Sequence, residues 1–137
     1  MRKNGKSEIS KIQKELWQLC RQVALKRFSK DNKVDCYTCG AKDIQGANRQ
    51  LGHMWSKASL GANLKYDMRV LRFQCYFCNI NCGGRGADFY ARMLKEIGKK
   101  KMTILEKLRH QVVKAKDHYL FLIEEYKKEL DEKGKVF

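Results

Sequence analysis

Two pairs of cysteines with the spacing Cys-x-x-Cys are the residues of this chain best suited to chemistry. Cys36 and Cys39 form the first pair, and Cys75 and Cys78 form the second after 35 intervening residues. Together the pairs supply the four thiolates that a tetrahedral structural zinc site requires. Two disulfides or unrelated buried cysteines are the alternatives. A thioredoxin-like redox site is not indicated, because nothing around either pair resembles a βαβ unit.

Zinc bound by four sulfurs has no open position for water or substrate, so any reaction must use other groups. His53 is the first candidate, because it is the only histidine among the first 109 residues and lies between the two cysteine pairs. Cys20 and Cys82 lie outside the two pairs, and we expect both to be packing residues.

The residues around the cysteines carry a family resemblance. The relevant segments are Gly52-His53, Leu64-Lys65-Tyr66-Asp67, Gln74 to Asn79, Gly83-Gly84 and Asp88-Phe89-Tyr90. In this combination they resemble the NinG/Rap family of phage recombination nucleases. That family looks like a branch of the HNH, or His-Me finger, endonucleases, whose ββα-metal fold is often braced by two Cys-x-x-Cys knuckles. The resemblance covers roughly residues 34 to 98, about half of the chain.

The resemblance implies a role for several residues. His53 takes the position of the general base at the end of the first strand, and Asn79 that of a ligand for a catalytic Mg²⁺ or Mn²⁺. Gly52 stands where HNH enzymes usually carry an aspartate ligand, and Val70 stands where they carry the middle asparagine. These departures leave Asn79 as the one clear protein ligand for the catalytic ion. The candidates for a supplementary ligand are Asp67, Asn81 and Asp88.

The charge of the chain indicates a polyanionic partner. The sequence contains 30 Lys and Arg against 15 Asp and Glu, which gives a formal net charge of +15. Nucleic acid is the first candidate, and surface lysines that serve only solubility are the alternative. Membrane-surface binding is less favoured, because the basic residues are spread along the whole chain. The candidate phosphate contacts are Lys57, Arg69, Arg72 and Arg85.

Periodicity predicts an α+β fold in one domain over residues 1–137, in which long N- and C-terminal helices flank a zinc-braced, HNH-like core. The pattern indicates an N-terminal helix over 7–29, with Ser7 as its N-cap and an apolar stripe facing the core. The core covers 34–98. It contains a short strand over 50–54, a second over 66–73 and a helix over 87–97.

The longest predicted element is a C-terminal helix over 99–132. Apolar residues recur along 104–130 at alternating steps of three and four, which is the spacing of a coiled-coil seam. This stripe can pack on the first helix within one chain. Self-association as a homodimer is the competing use, and two-fold symmetry would suit the two symmetric cuts that resolve a four-way junction.

The sequence contains no run of about 18 apolar residues that could span a membrane, and we expect a cytoplasmic protein, in the host if phage-encoded. The expected reaction is metal-dependent hydrolysis of a DNA phosphodiester. The resemblance implies branched DNA, such as a Holliday junction, as the substrate. A zinc-braced DNA-binding protein with a decayed nuclease site is the second hypothesis, and a helical protein that binds an acidic protein partner is the third.

Overall fold

The computed structural model describes the backbone of residues 2–132 and the side chains of residues 8–131; the remaining ends of the predicted 1–137 domain lie outside the described residues. Five helices and a two-stranded sheet form an α+β structure that is mostly helical. In chain order the elements are α1 (Arg2–Phe28), β1 (Gln50–His53), α2 (Lys57–Leu64), β2 (Leu71–Gln74), α3 (Gly86–Ile97), α4 (Lys99–Arg109) and α5 (Ala115–Glu132).

Helix α1 carries the predicted core-facing stripe. Leu16, Val23 and Ala24 are fully buried on it, and so is the thiol-bearing Cys20. The sequence suggested Ser7 as the N-cap of this helix. The helix begins at Arg2 instead, so Ser7 lies inside it. Burial of Cys20 confirms that it packs as a small apolar side chain, and burial also raises the pKa of its thiol to about 12.

Helices α1 and α5 pack along each other and run parallel. Three ion pairs join them in the same ascending order on both helices: Glu8 with Lys116, Glu15 with Lys127, and Arg27 with Glu129. These pairs are largely exposed, so they contribute little to stability. Their main effect is to fix the register of the two helices. The stabilisation comes from the apolar face of α5, whose buried residues are Tyr119, Leu122, Ile123 and Tyr126. Much of the 104–130 stripe is thus buried within one chain, whereas Ile104 and Phe121 are half-exposed.

The prediction of one continuous helix over 99–132 is wrong. Helix α4 ends at Arg109 and α5 begins at Ala115, with Val112 almost fully exposed in the connection. The buried Asn63 explains the break. Its side-chain Nδ2 donates to the backbone carbonyl of Leu108 at 2.8 Å, and its backbone carbonyl accepts from His118 Nε2 at 3.0 Å. A side chain thus satisfies the last turn of α4, and α5 can turn back onto α1.

The two predicted strands pair antiparallel, and the second strand is shorter than predicted. Gly52 pairs with Arg72 and His53 with Leu71, so the first strand ends at the histidine as expected. The residues predicted to open the second strand instead form a 3₁₀ turn over Met68–Val70. Asp67 causes this turn, because its carboxylate accepts from the backbone N–H of Arg69 at 2.9 Å and caps it.

The segments that follow the strands lead to the cysteine pairs and close the core. Cys75 follows β2 directly, and Cys78 lies on a π-helical turn over Phe77–Asn81 that precedes α3. Helix α3 starts one residue before the predicted position and buries Phe89 and Met93. No helix in the described part of the chain is long and apolar enough to cross a membrane.

Candidate metal and catalytic centre

The four paired cysteines form one cluster. The Sγ atoms of Cys36, Cys39, Cys75 and Cys78 all lie within 4.8 Å of one another, with Cys39 and Cys75 at 3.7 Å. In each pair the N–H of the last cysteine points to the sulfur of the first at 3.5 Å. Four convergent thiols with such N–H donors are the donor set of a closed, tetrahedral metal site, and the cluster can therefore hold one metal ion.

Local contacts hold the cluster against the sheet. The N–H of Tyr37 donates to the carbonyl of Phe73 in β2 at 2.9 Å, which joins the first cysteine pair to the strand preceding the second. Burial would raise the pKa of the Cys36 thiol, but N–H donors from Cys75 and Cys39 outweigh burial and lower it to about 6. A thiol that ionises near neutral pH is a ready metal ligand. Cys82 lies outside the cluster.

Arg85 lies beside this cluster. Its Nε donates to Cys78 Sγ at 3.1 Å, its guanidinium lies 5.8 Å from the ring centre of Phe77, and Asp88 approaches it at 3.8 Å. Arg85 also has a positive φ of 47°, which is unfavourable for a residue with a side chain. These contacts assign Arg85 to the support of the cysteine cluster. The same pairing accounts for Asp88, which the sequence offered as a metal ligand.

His53 is held in one orientation at the end of β1. Its Nε2 lies 2.8 Å from the carbonyl oxygen of Lys65, and its ring stacks on the indole of Trp17 with ring centres 5.6 Å apart and 5° between the planes. A carbonyl oxygen only accepts, so Nε2 must carry the proton and Nδ1 must be the basic nitrogen of the neutral ring. Within the described residues no hydrogen bond engages Nδ1, and it is not among the fully buried polar atoms.

The environment keeps this imidazole neutral. Burial lowers the pKa of His53 below its ordinary value of 6.5, and the hydrogen bond to Lys65 opposes that shift only in part. The charge of nearby Lys57 acts in the same direction as burial. At neutral pH the ring therefore presents an unprotonated Nδ1, which is the state that a general base requires.

A cleft brings three of the predicted site residues together. His53 from β1, Lys57 from the first turn of α2 and Asn79 from the π-helical turn all line it. Trp17 and the glycine-rich segment around Gly84 also line this cleft. Three residues that the sequence assigned to one reaction thus share one concave surface. No acidic side chain lines this cleft in the described part of the chain.

The amide of Asn79 is oriented by a chain of hydrogen bonds. Gln50 Nε2 donates to the carbonyl of Ala47 at 3.1 Å, so the other atom of that amide, Oε1, faces Asn79 and accepts from its Nδ2 at 2.8 Å. Because Nδ2 is engaged in this way, Asn79 Oδ1 is left free, and no described residue donates a hydrogen bond to it. A free amide oxygen in a cleft is a suitable ligand for a hard cation.

The structure also explains the glycine before His53. A Cβ at Gly52 would lie 1.9 Å from Gln74 Oε1, so position 52 has no room for any side chain. Gln74 is completely buried, and its Nε2 donates to the carbonyl of Gly84 at 2.8 Å and to Thr38 Oγ1 at 3.0 Å. Among the described residues, its Oε1 has no hydrogen-bond partner. A side chain from the neighbouring strand therefore fills the space that residue 52 leaves.

Arg72, Arg69 and Asp67 also lie away from the cleft. Arg72 is buried, donates to Glu96 at 2.7 Å and lies over the ring of Phe28 at 4.3 Å, so it stabilises the interior and is not a surface contact for phosphate. Arg69 is half-exposed, but its Nε and Nη2 donate to the carboxylate of Asp67 at 2.9 and 2.7 Å. That bidentate pair also removes Asp67 as a metal ligand.

Two remaining positions gain no site role from the structure. Val70 is fully buried in the turn before β2, as expected of an apolar core residue. Asn81 is exposed at the end of the π-helical turn and does not line the cleft.

Sequence reasoning missed three residues of this site: Trp17, Gln50 and Gln74. Trp17 is part of an apolar stripe whose period predicts only a core position. The two glutamines are ordinary strand residues until the register places them beside Asn79 and Gly52.

The outer surface of the second cysteine pair is apolar. Tyr76, Phe77 and Ile80 are each about half-exposed, although they are large and flank the cysteines and Asn79. Asn79 also lines a groove that contains Arg21 and Arg49. It is therefore part of a basic groove and adjoins the exposed Ile80 in sequence.

No protein-family model, curated protein or solved structure matches this chain.

Proposed function

We propose that this protein is a metal-dependent DNA endonuclease of the HNH type, braced by zinc at the four-cysteine cluster. The observation that carries the proposal is the cleft in which His53 presents a neutral Nδ1 beside Asn79 and Lys57. The formal charge of +15 supports a nucleic acid as the substrate.

The chain's own residues have distinct roles in the proposed hydrolysis. His53 Nδ1 takes a proton from a water molecule, whose oxygen attacks the phosphorus as the bond to the 3′ oxygen breaks. Lys57 binds the scissile phosphate, and Trp17 together with the Lys65 carbonyl holds the imidazole in place. Mg²⁺ or Mn²⁺ bound at Asn79 supplies charge that polarises the phosphate and stabilises the leaving 3′ oxygen.

The proposed substrate is branched DNA, such as a Holliday junction. Tyr76, Phe77 and Ile80 support this proposal, because exposed aromatic and apolar side chains can stack on bases that are unpaired at a branch point. Arg21 and Arg49 offer phosphate contacts in the adjoining groove. A homodimer stays a prediction. Its interface would lie outside the buried face of α5, and light scattering on the free protein and on a four-way junction tests it.

A cleavage assay tests the function. Supercoiled plasmid and a four-way junction are incubated with the zinc-loaded protein and Mg²⁺ or Mn²⁺, and His53→Ala is the matched variant. We expect cleavage by the wild type and a fall of roughly 10²–10⁴ in rate for His53→Ala with unchanged DNA affinity. Asn79→Ala is expected to need more metal for half-maximal cleavage. Full activity of folded His53→Ala would contradict the mechanism.

A non-catalytic DNA-binding protein is the second candidate, and the absence of a carboxylate among the described residues lining the cleft favours it. Such a protein would bind DNA without cutting it at any metal concentration. Its affinity would fall steeply with salt, because each neutralised phosphate releases counterions. A weak salt dependence would instead favour an acidic protein partner.

A further inference from the structure

Arg109, the last residue of helix α4, lies against a residue of the cleft. Its guanidinium carbon is 4.6 Å from the ring centre of Trp55, which lines the cleft together with His53 and Lys57. Its Nη2 is 3.5 Å from the hydroxyl oxygen of Ser59, in the first turn of α2. Helix α4 therefore brings a cation from outside the cysteine-braced core of residues 34–98 to the side of the cleft.

No carboxylate among the described residues neutralises the charge of Arg109. It forms no ion pair there, whereas Arg69 and Arg72 each pair with a carboxylate. Glu106, one turn earlier on α4, accepts a hydrogen bond from Tyr90 Oη at 2.5 Å instead. The described lining of the cleft contains no acidic side chain either. A partly exposed cation in these surroundings attracts an anionic ligand.

The contact with Trp55 leaves the hydrogen-bonding groups of Arg109 available. A cation–π contact uses none of the guanidinium N–H donors, and their described contact is the long one to Ser59. The planar fork of these donors matches the oxygens of a phosphate group. The indole restricts the side chain before any ligand binds, which lowers the entropic cost of binding. The competing explanation is that Arg109 only stabilises the C-terminus of α4, where a cation is favoured by the helix dipole.

We propose that Arg109 binds a DNA backbone phosphate next to the scissile phosphate at Lys57, and that Trp55 holds the guanidinium in position for this contact. The inference rests on the proposed function for the identity of the ligand as DNA. Arg21 on α1 lines a groove that shares Trp17 and Asn79 with the cleft. With Arg109 on α4, DNA binding extends to helices on both sides of the core in sequence.

The salt dependence of binding tests the contact without cleavage. The zinc-loaded full chain is titrated onto a four-way junction without added Mg²⁺ or Mn²⁺, at several salt concentrations between about 50 and 200 mM. We expect Arg109→Gln to weaken binding by about tenfold. The slope of log K against log salt should become shallower by about 0.9, the share of one phosphate.

Lys100→Gln is the matched control. It removes one exposed positive charge from the first turn of the same helix, and Lys100 lines neither the cleft nor the groove. We expect its salt slope to equal that of the wild type. Equal changes in Lys100→Gln and Arg109→Gln would mean that only the net charge matters, which would overturn the inference.

A second variant separates a phosphate contact from a structural role. Arg109→Lys keeps the charge but loses the planar fork, so we expect a wild-type salt slope with an affinity between those of the wild type and Arg109→Gln. Thermal unfolding and zinc content are measured on each variant. If Arg109→Gln lowered the melting temperature but kept the wild-type affinity and slope, Arg109 would serve only the end of α4, and the inference would be wrong.

Neutral phosphates in the DNA locate the contact. Junctions that carry a single methylphosphonate are scanned along the strand around the branch point. We expect a position at which the neutral group weakens binding of the wild type by about tenfold and has no further effect on Arg109→Gln. A scan in which every position affects the two proteins equally would overturn the inference.

The outcomes separate this inference from the proposed function. A shallower salt slope in Arg109→Gln together with uncut DNA at every metal concentration would refute the nuclease and leave the phosphate contact standing. Cleavage by the wild type with an unchanged slope in Arg109→Gln would refute the contact and leave the nuclease standing.

Discussion

The indole of Trp17 lies flat against the imidazole of His53, with 5° between the two planes. The contact joins residues 36 positions apart, and it makes α1 a wall of the candidate site as well as a flanking helix. Together with the hydrogen bond to Lys65 it fixes the ring on two sides. The basicity and the position of His53 therefore depend on a helix outside the cysteine-braced core.

Shortening the indole should change the titration of His53. In Trp17→Leu the imidazole loses much of its cover, so we expect the pKa of His53 to rise toward its ordinary value of 6.5. Cleavage at pH 7 should fall more than DNA affinity, because the ring is less well positioned. Histidine NMR signals measure the pKa, with His110 and His118 as references in the same sample. An unchanged His53 titration would mean that the stacked indole does not bury the ring.

The lowered pKa of His53 also predicts how stability depends on pH. The unfolded state binds a proton on His53 more readily than the folded state does. The contribution of neutral His53 to the free energy of unfolding is therefore complete above pH 6.5 and is lost as the pH falls through the folded pKa. Urea unfolding at pH 7.5 and at pH 5 should show a larger loss of unfolding free energy in the wild type than in His53→Gln. Equal losses in the two proteins would contradict the prediction.

Local patterns predicted the local elements. Short-range periodicity predicted three features that the structure contains. They are the strand that ends at His53, the helix that follows the second cysteine pair and the apolar stripe on α1. The joining of the cysteine pairs into one cluster also followed from their spacing, because a metal site constrains residues far apart in sequence.

Tertiary contacts decided what the sequence could not. The C-terminal helix breaks because Asn63 binds the end of α4, and a single asparagine leaves no periodic signal. Arg72 looked like a free cation until the fold supplied Glu96, 24 residues away, as its partner. Charge is visible in a sequence, but its neutralisation depends on packing.

The cysteine cluster predicts unequal roles for the six cysteines. Cys78→Ser removes a ligand that also accepts from Arg85, so it should lower zinc content and cost a large part of the folding free energy. Cys82→Ser changes a neighbouring thiol outside the cluster and should have little effect. Metal analysis and thermal unfolding of both variants check this, and equal sensitivity of the two would contradict the assignment.

The packing of α5 on the core predicts that removing a single hydroxyl group lowers the free energy of unfolding. Tyr126 Oη donates to the carbonyl of Tyr66 at 2.6 Å and accepts from the N–H of Met68 at 3.2 Å, and both bonds are buried. Tyr126→Phe leaves the N–H of Met68 without its described partner and leaves the carbonyl of Tyr66 with only the weak thiol donor of Cys20 at 3.5 Å, so we expect it to lower the unfolding free energy by about 1–3 kcal/mol. Phe121→Ala on the exposed face of α5 is the control, expected within about 0.5 kcal/mol of wild type.

Two glycines that differ only in their surroundings give the sharpest test of the site geometry. A Cβ at Gly52 would meet Gln74 Oε1 at 1.9 Å and Asn79 Oδ1 at 3.1 Å, whereas one at Gly86 would meet only a backbone oxygen at 3.7 Å. Gly52→Ala must displace buried Gln74, so we expect a loss of about 1–3 kcal/mol in unfolding free energy. Gly86→Ala, at the start of α3, should be neutral or slightly stabilising.

The same pair of variants links packing to chemistry. Displacing Gln74 should also disturb Asn79, so Gly52→Ala is expected to need more Mg²⁺ or Mn²⁺ for half-maximal cleavage, whereas Gly86→Ala keeps the wild-type requirement. Chemical denaturation and metal titrations of cleavage measure the two effects independently. If Gly52→Ala proved as stable and as active as Gly86→Ala, Gln74 would not occupy the space beside Gly52, and the described arrangement of the two amide oxygens would be wrong.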